Sequence, residues 1–236
     1  MFHKIYFDAL PSTNQFLKEN HQRYFDHTVI ICNNQTHGRG RENRRWEVEV
    51  NASLAMSILL KPDIPPESAA KLSLMTSAAV FKVISSTISN VSIKWPNDIL
   101  INGKKVCGIL LESIMSNKVE ALIIGIGINI NNKDFPKHIS QKATSLFLET
   151  KEVYDKEIIT DEILKWFEYY YVEFLKGNHS YIDICRKYSS VIGKNIIING
   201  NNSYVLDILD NGNILVRQGN DSIEYSYGEL TLEQMY

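Results

Sequence analysis

The chain has 236 residues and a formal net charge of −2, enough for one large domain or one domain with a small appendage. Hydrophobic residues at 44% and charged residues at 22% exclude a disordered tail protein, and no basic excess draws the chain to nucleic acid or an anionic membrane. Cys32, Cys107 and Cys185 are widely spaced with no CxxC, which argues against a disulfide framework and a zinc site and fits a reducing, cytoplasmic setting. Nothing reads as a signal peptide. The longest apolar stretch, Ala121 to Ile130, is broken by Gly125, Gly127 and Asn129. It has roughly half the ~20 residues a bilayer span needs, so it reads as a buried strand.

In chain order, Phe2–Phe7 predicts a strand. Ser12 with Gln15 three residues on is a capping-box pattern that predicts a helix start. Thr28–Cys32 is a second strand, 35–46 a polar, arginine-rich loop, and Ser53–Leu60 a buried strand. Pro65-Pro66-Glu67 opens a long helical pattern reaching about Ser89. Val91–Trp95 is strand-like, and Asn102-Gly103 joins Ile99–Ile101 to Val106–Leu111 as a hairpin. Glu120–Ile130 is a further strand. Hairpins together with helices predict α+β: a mixed or antiparallel sheet flanked by helices.

Residues 155–176 carry Ile158, Ile159, Ile163, Leu164, Phe167, Tyr170, Tyr171, Phe174 and Leu175 at helical spacing, closed by Gly177. From about Val191, short apolar runs alternate with Asn199-Gly200, Asn211-Gly212 and Gly219-Asn220. These predict a small β-barrel, marginal alone and packed on the larger part. The expected division is 1–188 and 189–236.

Three segments carry chemistry. Arg39, Arg41, Arg44 and Arg45 are four of seven arginines and fall in one Gly-containing loop that ends at Trp46. Arginine forks match phosphate and carboxylate oxygens, although a solvated basic loop or an RNA patch has the same composition. Lys94-Trp95-Pro96-Asn97-Asp98 is followed by Lys105, and strict alternation puts Lys105 on one face with Cys107 and Ile109. There it needs an anion, unless it is simply an edge-strand lysine that resists aggregation. Asp98 is either that ion-pair partner or a magnesium ligand. In Gly125-Ile126-Gly127-Ile128-Asn129, strand glycines mark the close approach of a ligand or another backbone. Asn129 bonds a ligand or a neighbouring loop. No GxxxxGK[ST], GxGxxG after a strand or GxSxG occurs, and the six histidines show no metal spacing.

Taken in order, Ser12-Thr13-Asn14, Gln35 to Trp46, Lys94 to Asp98, Lys105 to Ile109 and Gly125 to Asn129 resemble biotin protein ligases. The resemblance covers about residues 5–148, and the small C-terminal barrel is similar to the family's SH3-like domain. It implies a ligase that joins biotin to ATP as biotinyl-5′-AMP, with Mg²⁺. The biotin then passes to one lysine of a biotin carboxyl carrier protein of a biotin-dependent carboxylase. It implies biotin contacts from Ser12, Thr13, Asn14, Gln35, Gly38, Arg39, Gly40, Arg41, Lys105 and Gly108. Nucleotide contacts would come from Arg41, Arg44, Trp46, Asn97, Lys105 and Asn129. Lys105, Arg41 and Arg39 would be catalytic, and Asp98 would help place magnesium.

His37 and the segment Val48–Asn51 depart from the family pattern, as does the lack of a glycine before Ile208. Asn51 tolerates positive φ, which would preserve the turn. With the first strand starting at Phe2, we expect no winged helix and no sequence-specific DNA or membrane binding; a homodimer is left open. The alternatives are a lipoate protein ligase of the same fold and a non-catalytic biotin or nucleotide-binding module.

Overall fold

The computed structural model describes residues 2–41, 44–47, 49–226 and 230–232. Seven strands form the main sheet: β1 His3–Leu10, β2 Thr28–Gln35, β3 Ser53–Leu60, β4 Val91–Lys94, β5 Asp98–Ile101, β6 Lys104–Met115 and β7 Val119–Asn129. Their order is β1-β2-β3-β7-β6-β5-β4. Only β1 and β2 pair in parallel, with helix α1 (Thr13–Asn20) as the crossover; the other pairs are antiparallel. The sheet is mixed, as expected.

Both faces of the sheet are covered. Helices α2 (Lys71–Ser85), α4 (Lys156–Leu175) and α5 (Ser180–Lys187) lie on one face. They meet alternate strand residues, such as Met56, Ile58, Ile124, Ile126 and Ile128, in one core. On the other face Leu17 of α1 packs with Ile30, Leu59, Ala121 and Ile123, and the rest of that face is open to a cavity. Helix α1 is capped by Ser12, whose Oγ accepts from Gln15 N at 3.4 Å. The reciprocal half of the capping box does not form, because the Gln15 side chain turns along the helix to Glu19 at 2.8 Å.

The helical pattern after Pro65 resolves into a 3-10 turn at Pro66–Ser68 and then α2, which begins later and ends earlier than its apolar pattern. Two short helices went unpredicted, α3 (Leu146–Thr150) and α5. Asn102 and Gly103 adopt φ 51° and 78°, the signature of the expected tight turn. Asn51 sits at φ 64°, so that turn survives without a glycine; Val48 lies outside the described residues.

After α5, strands β8 Asn195–Ile198, β9 Asn201–Ile208, β10 Ile214–Gln218, β11 Asp221–Tyr225 and β12 Leu230–Leu232 form an antiparallel sheet ordered β11-β10-β9-β8-β12. A bulge at Leu206 bends β9 against β10, and Asp207 takes the place of the missing glycine. This sheet shares the main core: Ile196, Val205, Ile208 and Val216 join the same cluster as α2 and α5. Arg186 of α5 donates to Ile208 O at 2.5 Å and Asp210 Oδ1 at 2.7 Å. Trp95, fully buried, donates from Nε1 to Gly212 O at 3.0 Å. Among the described residues no helix is long and apolar enough to cross a membrane.

Trp95→Phe removes that donor, strands a buried carbonyl and leaves a void. We expect a loss of about 2–3 kcal/mol, read as a lower urea midpoint with an unchanged slope. An unchanged midpoint would show that the Trp95–Gly212 bond does not stabilise the fold.

Candidate active site

The open face of the main sheet carries a cavity of about 1170 Å³, large enough for more than one small ligand. Its floor follows from strand periodicity. On β7 the residues Ile124, Ile126 and Ile128 face the helices, so Gly125, Gly127 and Asn129 form a row on the other side. From Gly125 to Asn129 the row spans roughly 13 Å.

At the Gly125 end, α1 delivers its first turn. Thr13 donates from N to Gln35 Oε1 at 2.7 Å, and its Oγ1 lies 3.1 Å from the same oxygen. That fixes the Gln35 amide and leaves its Nε2 as a donor. Ser57 Oγ lies 2.6 Å from both Thr13 Oγ1 and Asn14 Oδ1. Because Asn14 Oδ1 can only accept, Ser57 donates to it. Asn14 Nδ2 in turn donates to Leu110 O at 3.2 Å and Glu112 Oε2 at 3.0 Å. Ser57 was missed by the sequence reading. Its signal was a hydroxyl set between Met56 and Ile58 in the apolar run of β3.

The loop after β2 covers the middle. Trp46 N donates to Gly38 O at 3.0 Å and Gly40 N to Arg44 O at 2.7 Å, so the glycine-arginine segment folds back on itself. The Trp46 indole presses on β7: a Cβ at Gly127 would stand 2.6 Å from its ring. Likewise a Cβ at Gly125 would stand 2.3 Å from Asn14 Oδ1. The strand glycines are therefore required by close approach, as expected, but what approaches is the protein's own side chains. Arg41 Nη1 donates to Asn97 Oδ1 at 3.2 Å, and Asn97 is locked to β6 by Asn97 Nδ2 to Ile109 O at 2.7 Å.

At the Asn129 end the expected face of Lys105 is overturned. Ile99 pairs with Cys107 but Leu100 pairs with Lys105, so Val106 is an extra residue, a β-bulge. It turns Lys105 away from the Cys107–Ile109 face and into the cavity, where its Nζ meets Asp98 Oδ1 at 2.6 Å. Lys105 also lies 5.6 Å from the Trp46 ring centre. Cys107 stays on the helix side, fully buried, with its thiol pKa pushed up by desolvation. Asp98 thus takes the ion-pair option here. Asn129 Nδ2 donates to Thr144 O at 3.0 Å, the neighbouring-loop option.

Every sequence-predicted site residue lines this cavity except Gly38, which is buried beneath the loop. His37 is exposed and bonded to Thr36. Three lining cations were not assigned a role, Arg45, Lys94 and Lys142. Burial holds the Lys94 pKa below the usual lysine range, with Lys105, Arg44 and Lys142 adding to the effect against Asp98. Lys142 comes from an irregular segment with no motif to signal it. Among the described lining residues, seven Lys and Arg side chains face two carboxylates, Glu47 and Asp98. The site is cationic in a chain of negative net charge, which makes it an anion site. Among the described residues no group of three acidic, His or Cys side chains could hold a metal ion.

The chain belongs to the biotin/lipoate A/B protein ligase family, which matches residues 6–129, more than half its length. Its individual relatives agree. A bifunctional ligase/repressor BirA of Bacillus subtilis is 36% identical over 95% of this chain and 72% of that protein. A biotin–[acetyl-CoA-carboxylase] ligase of Mycobacterium tuberculosis is 27% identical over 87% of this chain and 79% of its own. The solved structure of biotin protein ligase from Aquifex aeolicus in complex with biotin and ATP has a TM-score of 0.84 at 26% identity, covering 100% of both chains.

Gly125→Ala should cost more stability than Gly127→Ala. The first drives Cβ into Asn14, which is held by three partners, and overpacking there costs about 1–3 kcal/mol. The second meets an indole on a loop that can shift. Chemical denaturation of both variants is the check, and equal losses would mean that Asn14 yields as readily as the loop.

Proposed function

We infer that this chain is a biotin protein ligase. It activates biotin with ATP to biotinyl-5′-AMP and passes the biotinyl group to a lysine of a biotin carboxyl carrier protein. The observation that carries the reading is one continuous cavity that joins an amide-bonding end to a cationic end, in a chain of this family.

The assignment of residues follows the chemistry. Gln35 Nε2 and the Ser12–Thr13 turn hold the ureido end of biotin, with Asn14 shaping its wall, Gly38 supporting the loop from beneath and Gly108 lying farther along, beside Lys105. The valeryl chain runs along the glycine row toward Lys105. There a carboxylate oxygen attacks the α-phosphorus of ATP; the bond to the bridging oxygen breaks and pyrophosphate leaves. Two anions meet in this step, so cations must screen them. Lys105 does this at the reacting atoms, and Arg39, Arg41 and Arg44 do it from the loop. Lys94 and Lys142 add charge from the far wall. Trp46, Asn97 and Asn129 line the nucleotide's side. In the second step a carrier lysine amine attacks the acyl carbon, the C–O bond to phosphate breaks, and AMP leaves.

Magnesium enters as Mg-ATP. Mg²⁺ is commonly held by one or two carboxylates together with substrate phosphates. With two carboxylates on the described cavity wall, Asp98 is the one we assign to it. The proposal places catalysis in residues 1–188 and the C-terminal barrel in 189–236. It puts the work in the cytoplasm, and it needs no DNA, membrane or second copy of the chain.

The test is ATP–pyrophosphate exchange with biotin and with lipoate, followed by mass measurement of a carrier domain. Exchange with biotin and a biotin-sized mass gain are expected; exchange with lipoate alone, or none, would sink the reading. Lys105→Ala should fold normally and lose about 3 kcal/mol or more of transition-state stabilisation, more than a hundredfold in rate. Near-normal turnover would reduce Lys105 to an ion-pair partner of Asp98.

Arg41 ties the covering loop to Asn97. Arg41→Gly cuts that tie and frees the backbone, while Lys105 still screens the reacting anions. The adenylate should leak and biotinylate a bystander such as albumin. If adenylate synthesis persists and the bystander gains no more label than with wild type, Arg41 does not control retention.

A further inference from the structure

Lys105 is held from behind by its backbone. Its N–H donates to Lys142 O at 2.8 Å, and Thr144 N donates to its carbonyl at 2.9 Å. The segment 142–144 therefore lies beside Lys105 like a short parallel strand, and it brings Lys142 and Ala143 into the cavity wall. Thr144 is buried and is the hub of this wall. Its carbonyl accepts from Asn129 Nδ2 at 3.0 Å, and its hydroxyl donates to Glu149 Oε1 at 2.5 Å. The other oxygen of Glu149 accepts from Asn102 Nδ2 at 2.7 Å. Asn102 heads the tight turn that leads through Gly103 into Lys105, and it holds a positive φ. One carboxylate on α3 therefore grips both the turn that precedes Lys105 and the residue that flanks it.

We propose that Glu149 is a positioning residue: it clamps the Asn102–Gly103 turn to Thr144 and so fixes Lys105 and the 142–144 wall at the nucleotide end of the cavity. Glu149 itself does not line the cavity. The amide-bonding end, with Thr13, Gln35 and Ser57, lies roughly 13 Å away along β7 and shares no hydrogen bond with the clamp. The kinetic consequence rests on the ligase reading; the clamp itself does not.

Glutamine can replace the carboxylate. Its Oε1 would accept from Thr144, and its Nε2 would donate to Asn102 once the Asn102 amide turns over. Alanine makes neither bond.

Amide hydrogen exchange read by mass spectrometry tests the clamp on the full-length protein. In Glu149→Ala the amides of Lys105 and Thr144 should exchange about tenfold faster or more, with the β3 and β7 amides unchanged. In steady state the KM for Mg-ATP should rise about tenfold, while the KM for biotin, which meets Lys105 only at its carboxylate and is held at the far end by Gln35, rises about threefold or less. Glu149→Gln should restore both readings. Unchanged protection at Lys105 and Thr144 overturns the clamp. So does a glutamine variant as impaired as alanine, since the charge rather than the tie would then matter. A parallel rise in both KM values also overturns it, because the loss would then be general loosening. If the wild-type protein shows no biotin-dependent pyrophosphate exchange, the ligase reading fails and the amide rates alone decide the clamp.

Discussion

One extra residue in β6 decides on which side of the sheet the central cation appears. With strict alternation Lys105 would follow Cys107 and Ile109 into the helix-side core, and an ammonium group there would be desolvated among isoleucines. The bulge at Val106 reverses it. Lys105 then meets Asp98, approaches Trp46, and presents its peptide group to Lys142 and Thr144. Asp98 can reach it because β5 pairs across the same site, with Asp98 opposite Gly108. The place of Lys105 among the cations at this end of the cavity is a product of that single irregularity in the ladder.

The rest of the floor is the work of a strand with two different faces. From Ile124 onward β7 gives its isoleucines to helices α2, α4 and α5 and keeps glycine, glycine and asparagine for the cavity. A surface without Cβ atoms lets Asn14 and the Trp46 indole lie against the backbone itself. Two elements from elsewhere in the chain, α1 and the arginine loop, are thereby seated on the sheet at fixed depth. Ser57, beneath Asn14, then sets which way the hydrogen bonds of that first turn point.

Much of this was legible in the sequence. Gly125 and Gly127 announced a close approach, Asn102-Gly103 announced its turn, and the clustered arginines announced an anion. The missing parts have physical causes. A bulge leaves no composition signal, since Val106 looks like any strand residue, so the face of Lys105 was misjudged. Ser57 is a small hydroxyl inside an apolar run, and its partners, Thr13 and Asn14, lie more than forty positions away. The segment 135–143 lines the cavity without regular structure, so no periodicity marks it. α3 is too short for a helical pattern to show, and α5 follows close on Gly177, where the longer helix ends.

Trp95 and Pro96 separate Lys94 from Asn97 and Asp98, and Trp95 reaches away from all of them to the carbonyl of Gly212. Beside the shared core, the C-terminal sheet therefore reaches the cavity wall through one short lever. Energetic coupling across such a lever is mutual. A ligand on the sheet that displaced Gly212 and changed the cavity's affinity by some factor would find its own grip changed by the same factor once the cavity was filled.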